Sequence, residues 1–227
     1  DVALQKLDVT LAIDRAGFVG GDGATHAGIF DVSFLRCIPN MVLMSPSNEN
    51  DCWQMLSTGY QYKGPAAIRY PRGEGPGIDI EENFKTLEIG KANVLRHLDS
   101  KIVIFSFGNV LGLSSEIANE LGSSLVDMRF IKPLDEELIE KYAKNCDYII
   151  SIEENVISGG AGSAVNEYLS KIGHAEKLKI FGIPDEFPIV GDQKDQREAA
   201  GLTKDEILKK LSSEIDLKEI NKKVSTQ

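Results

Sequence analysis

Asp14-Arg-Ala-Gly-Phe-Val-Gly-Gly-Asp-Gly-Ala-Thr-His-Ala-Gly28 follows directly on the apolar, β-branched run Val9-Thr-Leu-Ala-Ile13. The run has the length and residue types of a strand. Gly17, Gly20, Gly21, Gly23 and Gly28 punctuate the loop, and Asp14, Arg15, Asp22, Thr25 and His26 are threaded among them. Glycine at this density costs conformational entropy, which a loop recovers only by holding a shape. Arg, Asp and His together offer a fixed cation, an acceptor and a group that titrates near neutrality. A loop at the carboxyl end of a strand is also where open α/β sheets place ligands. The composition favours a binding site here; the alternative is a polar surface turn.

Outward from the loop, Phe30 to Cys37 has a helical pattern, Met41 to Met44 is a second apolar strand, and Pro46 ends it. Ser47 is expected to cap a helix carrying Cys52, Met55, Leu56 and Tyr60 on its apolar face. Lys63-Gly-Pro65 breaks that helix, and Ala66 to Pro71 reads as a third strand. The alternation predicts an α/β unit with a parallel sheet. Arg72-Gly-Glu-Gly-Pro-Gly77 then stops regular structure, and residues 73–90 hold the expected linker. Beyond it come a near-continuous apolar strand at Lys101 to Phe107, a helix marked by Leu113, Ile117 and Leu121, and a strand at Ser124 to Met128. Asp135 is expected to cap a helix with Leu138, Ile139 and Tyr142, followed by strands at Tyr148 to Ile152 and Leu178 to Phe181. Between those two strands, Gly159 to Gly162 opens a helix over residues 163–172. Thr203-Lys-Asp-Glu206 is a capping box leading into a helix with Ile207, Leu208, Leu211 and Ile215 on one face. The domain division read from this pattern is 1–77, a linker at 78–90, 91–216, and a polar, frayed tail at 217–227. Residues 1–7 read as the end of a helix already under way, so the chain reads as truncated at its N-terminus.

The 227 residues are 42% hydrophobic and 26% charged, ordinary for a globular chain. No apolar run approaches the ~20 residues of a membrane helix. A net charge of −10 argues against nucleic acid as the main partner, although local arginines still permit an anionic substrate. Cys37, Cys52 and Cys146 are odd in number and widely spaced, which predicts reduced, buried thiols.

Other constellations are weaker. Gly21-Asp-Gly23 with Asn48 and Asn50 superficially fits a metal–diphosphate motif, but the two asparagines fall at a helix start, where Asn serves as a cap. Gly159-Gly-Ala-Gly-Ser163 lacks the P-loop lysine and reads as tight packing against a neighbouring domain or subunit. Glu153 and Glu154 point to opposite faces of their strand, which argues against a shared catalytic task. Arg69 and Arg72 also alternate, so one of them is placed to reach a ligand at the sheet edge while the other makes an ion pair; the residues alone do not say which. His97 and His174 are expected to face solvent, and Trp53 to be core.

Taken together, Asp14-Arg-Ala-Gly17, Asp22-Gly-Ala-Thr-His26, Phe34-Leu-Arg-Cys-Ile-Pro39, Arg69-Tyr-Pro-Arg-Gly73, Val126-Asp-Met-Arg-Phe130, Lys132-Pro-Leu134, Glu153-Glu-Asn155 and Gly159-Gly-Ala-Gly-Ser163 resemble the 1-deoxy-D-xylulose-5-phosphate synthases, thiamine diphosphate enzymes similar to transketolase. The resemblance implies two transketolase-like parallel-sheet units: the second half of a pyrimidine-binding domain, incomplete at its N-terminus, and a transketolase C-terminal domain. It further implies a homodimer, in a bacterial cytoplasm or plastid stroma, with no membrane and no nucleic acid as partner. The implied reaction condenses pyruvate with D-glyceraldehyde 3-phosphate, releases CO₂, and yields 1-deoxy-D-xylulose 5-phosphate, an isoprenoid and thiamine precursor. Arg15 and Arg72 would clamp the aldehyde's phosphate, which settles the choice between the two arginines. Asp22 would take a substrate hydroxyl or order the loop. His26 would hydrogen-bond the cofactor-bound substrate or move a proton. Thiamine diphosphate and Mg²⁺ are the implied cofactors, their metal and diphosphate ligands lying in the missing N-terminal part of the same enzyme, so this chain alone is expected to be inactive. Two other readings stand beside it: the β subunit of a 2-oxo acid dehydrogenase, and a non-catalytic dimerisation or regulatory module.

Overall fold

The computed structural model describes residues 1–215, so the expected tail at 217–227 lies outside the described residues. Two sheets share one body. The first contains β1 (Thr10–Ile13), β2 (Val42–Met44) and β3 (Ala66–Arg69), with α1 (Asp31–Arg36) and α2 (Glu49–Gln61) in the connections. Strand order is β1-β3-β2, all parallel. The second contains β4 (Asn93–Arg96), β5 (Ile102–Phe107), β6 (Ser124–Asp127), β8 (Tyr148–Val156) and β9 (Leu178–Ile183) in the order β4-β6-β5-β8-β9. Around it lie α3 (Leu111–Leu121), α4 (Glu136–Asn145), α5 (Ala161–Lys171), α6 (Gln193–Ala199) and α7 (Lys204–Glu214). The two-unit parallel α/β architecture expected from the apolar runs is present.

Each sheet also carries one antiparallel strand that the sequence pattern does not announce. β4 lines the edge of the second sheet against β6. β7 (Phe130–Lys132) leaves the second unit and pairs antiparallel with β2, so the first sheet is completed by residues from the second half of the chain. The units are therefore interleaved, and their apolar residues interleave too. Val32, Leu35 and Leu43 pack with Phe105, Val126 and Ile149 in one core cluster. Phe18 and Ile29, the two large apolar side chains flanking the glycine-rich turns, are buried in the other core of the second unit beside Ile104, Ile150 and Leu211.

Several local expectations are corrected. Residues 2–6 form turns rather than a helix tail. Asn48, not Ser47, caps α2, accepting from Asp51 N at 2.9 Å. Tyr60 is exposed, because it falls on the solvent side of α2. Trp53 is only half-buried and stacks on Phe84 of the 73–90 segment, with ring centroids 4.6 Å apart. Cys146 alone is a buried thiol; Cys37 is exposed and Cys52 half-buried. His97 is exposed as expected, whereas His174 is half-buried. Thr203 caps α7 through Glu206 N, while the reciprocal capping box lies on α6, between Asp192 and Asp195. Residues 70–92 contain no helix or strand, yet the segment is tied down: Glu49 accepts from Gly77 N and Ile78 N, and Thr58 from Leu87 N. Among the described residues no helix is long and apolar enough to cross a membrane.

At the junction of the two units one hydroxyl meets two buried carboxyl groups. Ser47 Oγ stands 2.9 Å from Asp51 Oδ2 and 2.7 Å from Asp127 Oδ2, but a hydroxyl has one hydrogen to donate. Burial, reinforced by Asp51, pushes Asp127 up to about 7, and Ser47 and Arg129 only partly oppose this. A carboxyl whose folded pKa is raised favours the folded state while protonated, and that contribution is lost as pH rises through about 7. Asp127→Asn cannot titrate. Its melting temperature relative to the parent chain is expected to rise by several degrees between pH 5 and pH 8, at about 2–4 °C per kcal/mol for a chain of this size. Thermal denaturation at the two pH values checks this, and a pH-independent difference overturns it.

Candidate functional site

The glycine loop starts where β1 ends, and it is pinched at its base. Gly17 N donates to Gly28 O at 2.7 Å, and Gly28 N to Arg15 O at 2.9 Å. The β1–β3 ladder continues past the strands through Tyr70 N to Ile13 O and Ala16 N to Tyr70 O, so residues 14–16 run beside residues 70–72. Two glycines are required here. A Cβ at Gly28 would collide with Arg15 O, and one at Gly17, whose φ is +82°, would collide with the Glu154 carboxylate. Between the pinch points the chain makes two 3₁₀ turns, Gly20–Asp22 and Ala24–His26.

Arg15 itself has φ +61°, a region that non-glycine residues rarely occupy. That conformation carries its side chain back across the loop. Asp22 Oδ2 lies 3.1 Å from Arg15 Nε and 2.8 Å from Arg72 Nε. One carboxylate thus holds two guanidinium groups together, each by its Nε edge. Asp14 takes Arg15 Nη1 at 2.7 Å. The hydrogen bond from Arg15, followed by the charge of Arg72, holds Asp22 below the usual carboxylate range, and the same bond raises Arg15. Asp22 and Arg15 are therefore both ionised at neutral pH. Arg72, held through Nε, keeps both terminal nitrogens, and Arg15 keeps Nη2, so planar guanidinium N–H groups are left for a multiply charged oxyanion.

His26 follows Asp22 by one 3₁₀ turn. Its ring is exposed, with Nδ1 3.1 Å from Thr25 Oγ1. No hydrogen bond joins it to the Arg15–Asp22–Arg72 cluster among the described residues. Arg72 also walls a cavity of about 500 Å³ whose other lining includes Glu49, Cys52, Tyr70, Asn109 and Arg197.

Strand alternation sends Arg69 the other way, and the ion pair expected there is deeply buried rather than superficial. Arg69 forks onto Asp31 at 2.6 and 3.2 Å and also donates to Gly28 O and Glu154 O. Glu153 and Glu154 diverge as their alternation requires. Glu153 accepts from Ala161 N and Gly162 N at the start of α5, at 2.7 and 2.8 Å, and burial pushes it up to about 7. Its carboxylate thus occupies the place a phosphate would take on the Gly159 to Gly162 loop. That loop packs on the first unit, where Ser33 Oγ donates to Ser158 O and Arg36 Nε to Gly159 O. Glu154 takes Arg197 Nε at 2.8 Å and also binds Asn109. Asn109, Gln193, Gln196 and Arg197 are the residues near the site that the sequence reading leaves out. No glycine pattern or motif marks them; only the fold brings them to the loop.

The residues described do not fit a metal-bound diphosphate. Among them no three His, Cys, Asp or Glu side chains stand together as metal ligands. Of the carboxylates lining the cavity, Glu49 is taken by backbone N–H groups; Glu154, beside it, is taken by Arg197 and Asn109.

Comparison with known proteins agrees with this architecture. The model of the transketolase pyrimidine-binding domain matches residues 1–77, and that of the transketolase C-terminal domain matches residues 90–207. The chain belongs to the transketolase family. Over 202 residues it is 53% identical to the 1-deoxy-D-xylulose-5-phosphate synthase of Cellvibrio japonicus, covering 89% of this chain and 32% of that protein. It is 52% identical over 213 residues to the same-named enzyme of Hamiltonella defensa, covering 94% of this chain and 34% of that one. This transketolase-family chain thus spans about a third of the length of the curated relatives it matches. Among solved structures it resembles one described as a split-gene transketolase, an inactive β4 tetramer, with a TM-score of 0.79 and 27% identity over 95% of this chain and 69% of that one. A transketolase from Campylobacter jejuni, at TM-score 0.72 and 24% identity over 93% of this chain and 32% of that one, shares the fold. Thiamine diphosphate is the cofactor this family implies.

Proposed function

We propose that this chain supplies the aldehyde-phosphate side of a 1-deoxy-D-xylulose-5-phosphate synthase, the enzyme that joins pyruvate to D-glyceraldehyde 3-phosphate with loss of CO₂. The observation that carries the reading is the Asp22 carboxylate bridging Arg15 Nε and Arg72 Nε, 3.1 and 2.8 Å away. Two arginines held side by side, with both terminal nitrogens of Arg72 and Nη2 of Arg15 outside these ion pairs, suit a phosphate dianion, and a 2-oxo acid dehydrogenase handling unphosphorylated acyl groups has no use for such a pair. In this reading Arg15 and Arg72 bind the phosphate, Asp22 sets their separation, and His26 hydrogen-bonds the reacting oxygen or carries a proton. The diphosphate and Mg²⁺ ligands are assigned outside the described residues, and the working enzyme is a homodimer of the complete polypeptide, in which this chain alone is inactive.

Kinetics of the catalytically complete enzyme containing this chain tests the clamp. A charge-assisted hydrogen bond contributes roughly 1.5–3 kcal/mol, so Arg72→Ala or Arg15→Ala is expected to raise the KM for glyceraldehyde 3-phosphate about ten- to a hundredfold. The KM for pyruvate should change much less, and turnover of unphosphorylated glyceraldehyde should be nearly indifferent. Arg72→Lys should recover only part of the loss, since an ammonium lacks the planar fork. Equal losses with both aldehydes would overturn the assignment.

A further inference from the structure

The phosphate clamp stands on two separate stretches of chain: the glycine loop carries Arg15 and Asp22, and the end of β3 leads into Arg72. Little regular structure holds the outer part of the loop. The contacts that do so come from α6, in the other half of the chain. Gln193 Nε2 donates to Phe18 O at 2.7 Å and to Arg72 O at 3.3 Å, so a single side-chain amide ties the loop to the Arg72 backbone. Three residues on, and so on the same helix face, Gln196 accepts from Gly20 N at 2.9 Å and donates to Ile189 O at 3.0 Å. Gln196 is 1% exposed, and both ends of its amide are used. Gly20 opens the 3₁₀ turn that ends in Asp22. α6 is itself fastened at both ends. Asp192 and Asp195 exchange backbone and side-chain bonds at its start, and Arg197 pairs with the fully buried Glu154 of β8.

We infer that α6 of the C-terminal unit sets the spacing of the Arg15–Asp22–Arg72 cluster, with Gln193 and Gln196 as positioning residues for recognition of the phosphorylated aldehyde. The inference rests on the phosphate-clamp reading above. Its chemistry is specific to the amide. Both Gln193 contacts are to carbonyl oxygens, so the group must be a donor; Gln196 must accept at one end and donate at the other. Gln193→Glu keeps the shape, removes the donor and sets a carboxylate against two carbonyls. Gln196→Ala frees Gly20 N and leaves Ile189 O without its donor. Neither residue is part of the clamp, so loosening them displaces the arginines without deleting any charge.

Two measurements test this. In the 227-residue chain, hydrogen–deuterium exchange of both variants is expected to accelerate at least ~10-fold across residues 15–26, and in Gln193→Glu also across 70–74, while β5 is unchanged. In the catalytically complete enzyme, both variants should raise the KM for glyceraldehyde 3-phosphate at least ~5-fold and leave that for pyruvate within ~2-fold, as expected when a binding group is misplaced by an ångström or less. Arg72→Ala runs beside them. If Arg72→Ala shows the phosphate-selective defect and neither glutamine variant does, the positioning role is overturned and the clamp stands. If Arg72→Ala shows none, the clamp reading fails, and the exchange data alone decide whether the glutamines hold the loop. Unchanged exchange in both segments overturns the inference outright.

Discussion

His26→Ala in the catalytically complete enzyme that contains this chain is expected to lower kcat by at least ~10²-fold, the low end for a positioned acid–base group. The side chain is well placed for that kind of work and poorly placed for a structural one. It sits exposed on a short 3₁₀ turn, and its only hydrogen bond among the described residues runs between Nδ1 and the neighbouring Thr25 hydroxyl. Nε2 has no hydrogen-bond partner among the described residues. Surface substitutions without buried partners change stability by about 0.5 kcal/mol or less, so the melting temperature should move by no more than about 2 °C. His26→Gln refines the result. Glutamine retains a hydrogen bond and cannot titrate, so a substantial rescue marks His26 as a hydrogen-bonding group, and a loss equal to that of alanine marks proton transfer. Near-normal turnover combined with a large fall in melting temperature would assign the residue to structure instead.

Arg69→Ala is expected to behave in the opposite way, destabilising the chain by about 3–5 kcal/mol, the cost of breaking a buried ion pair by removing one partner. That corresponds to a fall in melting temperature of roughly 6–20 °C. Asp31, 5% exposed, would be left in the interior with no cation opposite it. Gly28 O and Glu154 O would each lose a donor, and with them the contacts that join the base of the glycine loop to β8. Arg69→Lys should restore little, because one ammonium cannot span both Asp31 oxygens and two carbonyls at once. Replacing Arg69 and Asp31 together by apolar residues should recover part of the stability, since no unpaired charge then remains buried. Thermal or denaturant unfolding of the three variants decides it. A stable Arg69→Ala chain with a phosphate-selective kinetic defect would reverse the roles of Arg69 and Arg72.

That contrast between two arginines three residues apart was legible without coordinates. A strand alternates its side chains, so Arg69 and Arg72 had to leave on opposite faces, whatever those faces met. The parallel strands were legible for a similar reason: Ile102 to Phe107 and Ile149 to Ile152 are apolar runs that only burial on both faces explains. The glycine loop was legible because its information is local. Backbone freedom, a fixed cation, an acceptor and an imidazole occur within fifteen consecutive residues.

Other features had no local signal. β4 and β7 are short, carry Asn, Arg or Lys at their ends, and become strands only because β6 and β2 offer them open edges. Ser47 looked as good a cap as Asn48, and the choice fell to Asn48 because Ser47 is drawn to Asp51 and Asp127 at the junction. Nor does anything in Gln193, Gln196 or Arg197 mark a site by itself; each acts on Phe18, Gly20 or Glu154 from far along the chain. By itself, then, the sequence determined the periodic elements, the family resemblance and the loop that bears Arg15, Asp22 and His26, because these depend on residue type and near-neighbour spacing. Only the tertiary structure decided which strands complete each sheet, that Asp22 bridges the two arginines, and that the C-terminal unit holds the loop in place. Those outcomes depend on hydrogen bonds and desolvation between groups that no spacing rule connects.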